Sequence, residues 1–371
     1  MNPFRFGQIV KEVDFCRRPV LVDKLEEIIK RGQNVYIQGE RRIGKTSLIF
    51  EVVRKLKRFR MIYVDLLEAK SSDDLLKRIL LAIMSMEKRA GTLDRVFQKL
   101  AHIRPVASID PITGLPTLTI DASADLKPAS IPGILDLIAS VHSKSKPVVV
   151  VFDEFQDVLN LKDARQSLAL LRSKVQFQSD IAYVFAGSIR NKMDSIFNDP
   201  DSAFFKAAIP IQVGPLERET FQKFIIAKFE TGKRRITSGT LDSIFEISFE
   251  IPGDIQQLCS ALWETTFSGD RVSEEQLPAA LEMIFSHELK GYETILNVIS
   301  KQQLKLLTAL ARMGGNAPMS SEFLKNSGIT QASSVRRALG RLVDLKILFH
   351  NENQYRFINP FFRAWLLHKK L

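Results

Sequence analysis

A parallel α/β sheet, followed by an all-helical region and a closing helix-and-hairpin module, is the fold class this sequence predicts. Three observations carry it. Five short apolar runs alternate with amphipathic stretches between Val35 and Val213, and continuous runs of this kind suit strands buried on both faces. Beyond Gly214-Pro215-Leu216 the strands stop and helical periodicity takes over. From about Ile299 a third pattern begins, in which three helices precede two short strands.

The elements follow in order. Val20-Leu21-Val22, then Leu25, Ile28 and Ile29, give a first helix that Gly32 ends. The first strand, Val35-Tyr36-Ile37, runs straight into Gly39-Glu40-Arg41-Arg42-Ile43-Gly44-Lys45-Thr46-Ser47 and a helix. That is the G-x-x-x-x-G-K-[ST] phosphate loop in the strand–loop–helix setting it requires. Its glycines let the backbone wrap a phosphate, and its N–H groups gather at a helix N-terminus, where an anion is favoured. Lys45 is expected on the β- and γ-phosphates, with Thr46 on Mg²⁺. A second strand, Met61 to Leu66, and a helix capped by Ser72-Asp73-Asp74 come next. Between about 104 and 121 two short runs flank Asp110-Pro111-Ile112-Thr113-Gly114, which reads as a β-hairpin inserted into the alternation.

After a helix from Ile131 to His142, Val148-Val149-Val150-Val151-Phe152 is the most apolar strand of the chain, and it ends on Asp153-Glu154. Ligands bind at the carboxyl ends of such strands. Asp153 is the candidate second ligand of Mg²⁺ and Glu154 the candidate to polarise an attacking water. The strand Ile181 to Ala186 ends at Gly187-Ser188-Ile189-Arg190, where Ser188 is either a phosphate or water sensor or simply a turn residue. Ile209 to Val213 makes the fifth strand. Four helices follow, over 220–229, 240–247, 254–267 and 273–287.

Composition narrows the function classes. The chain has 371 residues, enough for two or three domains, and is 45% hydrophobic and 26% charged. No apolar run approaches the roughly 20 residues of a membrane span. The N-terminus lacks a basic region followed by an apolar one, so a cytoplasmic protein without a membrane partner is expected. Two distant cysteines, Cys16 and Cys259, support neither a disulfide framework nor a zinc site. The net charge of +11 is uneven: Lys301 to Leu371 carries twelve bases against three acids, or +9, and the other 300 residues only +2. A polyanion is therefore expected at the C-terminal segment.

There the helix from Gln331 to Leu345 buries Val335, Ala338, Leu339, Leu342 and Val343 on one face. Arg336, Arg337 and Arg341 fall on the other, with Ser333 and Ser334 at the N-terminal end. Three helices and a hairpin make a winged helix–turn–helix. This face suits phosphates and base edges of duplex DNA. A solvated basic face, or a module that contacts protein, is the alternative.

Taken together, Gly39 to Ser47, Val150-Val151-Phe152-Asp153-Glu154-Phe155-Gln156 and Phe185-Ala186-Gly187-Ser188-Ile189-Arg190 resemble the archaeal/bacterial ATPase family within the AAA+ and STAND class of P-loop NTPases. The resemblance spans nearly the whole chain. It implies ATP as the nucleotide, a five-stranded sheet of order 5-1-4-3-2, and a helical lid beside the core. It also places the Phe15-Cys16-Arg17-Arg18 region near the adenine. The implied organisation is an ATPase core over 1–215, a lid over 216–297 and a winged helix over 298–371. Relatives place an arginine early in the third lid helix; Gly253-Asp254-Ile255-Gln256-Gln257 has none. Before the fifth strand stands Phe204-Phe205-Lys206, so Lys206 or Arg190 is the candidate to complete a neighbour's site in a homo-oligomer. Two outputs remain open: a DNA-binding ATPase switch, or a signalling scaffold whose winged helix contacts a protein partner.

Overall fold

The computed structural model describes residues 1–86, 105–109, 116–120, 127–188, 190–329, 331–351 and 354–369. The chain forms two compact units. One is Ile9–Gly214; the other combines Met1–Gln8 with Pro215–Leu371.

The first unit is built on five parallel strands: β1 (Val35–Gln38), β2 (Arg60–Asp65), β5 (Val148–Asp153), β6 (Ala182–Gly187) and β7 (Ile209–Gln212). Their order across the sheet is β2-β5-β6-β1-β7, which is 5-1-4-3-2 when the five are numbered along the chain. β5 is central enough to be paired on both edges, with Val151 beside Tyr63 on one side and Val184 on the other. All six of its residues are buried, the reason its sequence is apolar without alternation. β1 is likewise paired twice, by β6 and β7.

Helices α1 (Pro19–Lys30), α2 (Lys45–Lys55) and α3 (Ser72–Met86) join these strands, as do helices Ile131–Val141 and Ala164–Val175. Leu75, Leu76, Ile79, Leu80 and Ile83 of α3 pack with Ile134, Leu135 and Ile138 against Val148, Val150 and Phe152. The expected hairpin is present as β3 (Pro105–Ile109) and β4 (Pro116–Ile120), antiparallel with Ala107 opposite Leu118. The turn expected at 110–114 lies outside the described residues.

In the second unit, helices Arg218–Glu230, Ser238–Ile247 and Pro252–Glu264 surround Phe221, Ile225, Phe229, Ile244, Phe245 and Leu258. The first residues of the chain are part of this packing. Phe4 is buried with its ring 4.7 Å from that of Phe229, and Asn2 donates to the side chain of Ser260 at 2.9 Å. The helix expected over 273–287 runs instead from Leu277 to Val298, after a Ser273–Gln276 capping box. Phe285 and Tyr292 on its later turns enter the same core as Leu339, Leu342, Phe362 and Trp365.

The C-terminal module contains helices Lys301–Met313, Ser321–Ser327 and Ala332–Asp344, then the antiparallel strands Leu348–Asn351 and Gln354–Phe357. Val335, Ala338, Leu339 and Leu342 are buried as expected, while Val343 is half-buried. A further helix, Pro360–His368, was not anticipated. Its start is encoded locally: Asn359 Oδ1 accepts the N–H groups of Phe361 and Phe362 at 2.9 and 3.1 Å, and Pro360 sits in the first turn. Among the described residues no helix is long and apolar enough to cross a membrane.

Candidate nucleotide site

The carboxyl ends of β1, β5 and β6 bring together most of the residues singled out in the sequence. After β1 the chain bends through Gly39. A Cβ there would stand 2.5 Å from the Val213 carbonyl oxygen, so only glycine lets the loop leave the sheet this close to β7. Arg42 (φ +62°) and Gly44 (φ +98°) both adopt left-handed backbone. Left-handed positions alternating with ordinary ones turn successive N–H groups to one side, which makes a concave nest for an anion. α2 then begins at Lys45, so the nest opens onto a helix N-terminus. Arg41 and Arg42 are exposed, Glu40, Gly44 and Thr46 half-buried, and Ile43 and Ser47 buried.

Lys45 is buried, and its Nζ donates to the carbonyl oxygens of Gly39 and Glu40 at 2.9 and 3.0 Å. Burial pushes its pKa down, opposed mainly by the negative charges of Glu154 and Asp153. A buried ammonium satisfied only by neutral carbonyls would be better served by an anionic partner.

The Asp153 carboxylate is fully engaged. Its Oδ2 accepts from Thr46 Oγ1 at 2.6 Å and from the Tyr63 hydroxyl at 2.8 Å, and its Oδ1 accepts from the Glu154 N–H at 3.0 Å. The Thr46 hydroxyl can keep that donation while offering its lone pairs to a cation. This donor set, one hydroxyl and one carboxylate, fits Mg²⁺, which keeps much of its shell as water and phosphate oxygen.

Glu154 takes left-handed backbone at φ +50°, strained for a residue with a side chain. Its Oε2 accepts from Ser188 Oγ at 2.7 Å and from Gln156 Nε2 at 2.5 Å. The Gln156 side-chain Oε1 in turn accepts the Ser188 N–H at 3.2 Å. These three residues form a closed ring that fixes one carboxylate oxygen of Glu154.

Two participants escaped the sequence reading. Tyr63 looked like one more strand residue, and burial beside Asp153 raises its pKa well above the usual phenol range, so it stays a donor. Gln156 is 1% exposed, in a short 3₁₀ turn over Phe155–Asn160. An unusual signal was available in each case, a hydroxyl within an apolar run and a polar amide two residues past the carboxylates. Arg18 closes the other side of the loop. Its Nη1 donates to Gly214 O at 2.6 Å and its Nη2 to Ile43 O at 2.9 Å, and burial lowers its pKa to about 10. Val10 N–H donates to Ser47 Oγ at 3.2 Å, so the segment before α1 lines the loop as well.

The remaining candidates are carried by other elements of the chain. Arg190 opens the helix Arg190–Phe197. Lys206 is exposed, with left-handed backbone at φ +51° and its ammonium 5.1 Å from the centre of the Phe205 ring. Ser333, Arg336, Arg337 and Arg341 are exposed and Ser334 half-buried on helix Ala332–Asp344.

Residues 15–256 match the family described as an ATPase domain predominantly from Archaea. The chain belongs to that ATPase family. Residues 290–368 match a probable winged helix domain. Among solved structures, this ATPase is similar to a Walker-type ATPase of Pyrococcus abyssi (17% identity, TM-score 0.66, 98% of this chain and 99% of that one). It is also similar to the Aeropyrum pernix ORC2 protein in ADPNP–ADP complexes (15%, TM-score 0.54, 100% and 98%). A third similar structure is the Aeropyrum pernix ORC1 protein in complex with DNA (12%, TM-score 0.52, 98% and 96%). At these identities the likeness is one of fold. No curated protein sequence matches the ATPase.

Proposed function

We propose that this protein is a Mg²⁺-dependent, ATP-hydrolysing switch of the AAA+/STAND kind, whose nucleotide state governs a basic winged helix that binds duplex DNA. The observation that carries the first half is the convergence of Lys45, Thr46, Asp153, Glu154 and Ser188 at the carboxyl end of the sheet, each with a partner suited to its role.

Phosphoryl transfer asks a protein for positioning and charge stabilisation rather than covalent chemistry. The N–H groups of Gly39 to Ser47 bind the phosphates, and Lys45 exchanges its two loop carbonyls for β- and γ-oxygens. Thr46 and Asp153 would hold Mg²⁺, which would supply charge neutralisation at the phosphates. Glu154 orients the water and accepts its proton, while Ser188 and Gln156 hold the carboxylate still. Tyr63 and Thr46 fix the position of the Asp153 carboxylate by donating to it. Arg190 and Lys206 are the cations available to a neighbouring copy.

Gln156 has a measurable part in this scheme. Gln156→Leu removes the amide donor to Glu154 and leaves phosphate contacts untouched. Steady-state phosphate release is expected to show kcat down about tenfold with KM for ATP unchanged, the loss of one charge-assisted hydrogen bond of about 1.5–3 kcal/mol being partly offset by Ser188. An equal rise in KM would instead mean that Gln156 acts on binding.

The DNA half rests on Arg336, Arg337 and Arg341, exposed on one face and without an ion pair among the described residues. A protein of the same fold is solved in complex with DNA, which supports the reading. The test is duplex binding over a salt series, with phosphate release followed with and without the duplex. Replacing all three arginines by alanine is expected to lower the slope of log K against log salt by about two to three, at about 0.9 per phosphate contact. An unchanged slope moves the contact off this helix, and no duplex binding at low salt favours the protein-contact scaffold.

A further inference from the structure

At the opposite end of the sheet from the nucleotide site, the ATPase unit carries a second feature. The loops that lead into β1, β2, β5 and β6 all lie at the amino ends of their strands, about 20 Å from the carboxyl ends for a six-residue strand. They wall a cavity of about 720 Å³. Its charged lining is six cations, Lys30, Arg31, Lys55, Lys57, Arg58 and Lys144, against the carboxylates of Glu26 and Asp180.

The helix residues among the six have partners. Lys30 and Lys55 both reach Glu26, at 2.6 and 3.2 Å, and Arg31 pairs with Glu27. The loop residues do not. Lys57, Arg58 and Lys144 are exposed and make no ion pair among the described residues. Arg58 Nη2 instead donates to the Lys144 backbone carbonyl at 3.2 Å, which ties the loop before β2 to the loop before β5. Three unpaired cations are thus held together by the fold, at a repulsive cost that an anion would relieve. The hydrocarbon floor matters too. Phe59 is half-buried in the cavity wall, and Phe177, two residues before Ser179 of the lining, is 80% exposed. A basic groove with an aromatic side chain in its wall, and an exposed one near it in sequence, suits a nucleic-acid strand held through its backbone and by stacking. Concavity argues against a flat lipid surface.

We propose that this groove binds the phosphodiester backbone of a nucleic-acid strand without regard to sequence, as a second contact separate from the winged helix. It needs neither the ATP reading nor the DNA-binding reading of Arg336, Arg337 and Arg341 to hold. The local excess was invisible in the composition, because the +2 of the first 300 residues averages this rim with acids elsewhere.

The experiment uses the full chain with the winged-helix arginines already replaced by alanine, so that any remaining binding reports on other surfaces. Fluorescein-labelled single-stranded and duplex oligonucleotides are titrated over a salt series. In that background, adding Lys57→Glu, Arg58→Glu and Lys144→Glu is expected to weaken binding at least about tenfold and to lower the salt slope by about two to three. Phosphate release stays unchanged, since none of the three touches the nucleotide site, and the melting temperature shifts by no more than the loss of the exposed Arg58–Lys144 hydrogen bond allows. A larger loss for the single strand identifies it as the form bound, and a larger loss for the duplex identifies that form. Unaltered affinity and slope overturn the proposal. So does tight binding of a polyglutamate peptide that the same charge reversals abolish while oligonucleotide binding persists, which would make the groove a site for acidic protein. Failure of the winged-helix prediction with success here would leave this contact standing alone.

Discussion

Glu154→Gln is expected to bind ATP as tightly as the parent protein and to hydrolyse it about 10²–10⁴-fold more slowly, the usual contribution of a positioned general base. The substitution is chosen for what it preserves. An amide oxygen in place of Oε2 still accepts from Ser188 and Gln156, so the ring at 2.7 and 2.5 Å can persist and the left-handed backbone keeps its support. Asp153 keeps its own three donors, two of them side-chain hydroxyls, and the phosphate nest is untouched. What disappears is the capacity to accept a proton. Calorimetric titration with ATP and steady-state phosphate release separate the two quantities. A variant that turns over at the parent rate would remove Glu154 from the base role, and one that no longer binds would assign it to the ground state.

The sheet was readable because its signals are strong and local. Val148 to Phe152 could be nothing but a strand covered on both faces, and Gly39 to Thr46 specified its turn and helix together. The order of the strands across the sheet, by contrast, was implied by the family resemblance and not by the elements themselves. Helix Pro360–His368 was equally local, and its Asn-Pro start was simply passed over. The roles of Tyr63 and Gln156 are of another kind. Neither residue is defined by its neighbours in sequence: Tyr63 acquires its meaning from Asp153, ninety positions on, and Gln156 from Ser188 across a strand pairing. The same holds for Phe4, whose burial against Phe229 and Trp263 joins the first residues to a unit that otherwise begins at Pro215. Long-range partners of this sort leave at most an odd residue type to notice, and nothing in the sequence that names the partner. The basic groove failed to register for a different reason, since its unpaired cations come from two separate loops, before β2 and before β5, that only meet once the strands align.

Lys45→Met should eliminate most nucleotide affinity without unfolding the protein. In the complex Lys45 would donate two charge-assisted hydrogen bonds to phosphate oxygens, each worth about 1.5–3 kcal/mol, so Kd is expected to rise about 10²–10⁴-fold. In the free protein the ledger is smaller. The pKa of Lys45 is held down by burial, so the unfolded chain binds this proton more tightly than the folded one, and the charge costs stability below the ordinary lysine range. Removing it recovers that cost while leaving the Gly39 and Glu40 carbonyls without their donor. Opposed terms of this size predict a melting temperature within a few degrees of the parent, about 2–4 °C per kcal/mol for a unit of this length. The sign can be checked independently: the contribution of Lys45 makes the parent protein gain stability as pH rises from the depressed pKa towards 10.5, and Lys45→Met abolishes that gain. Titration calorimetry with a non-hydrolysable ATP analogue, run beside thermal melts at several pH values, measures both. Undiminished affinity would mean that the phosphates are held by the loop backbone alone, and a collapse of the melting temperature would mean that Lys45 braces the loop rather than waiting for a ligand.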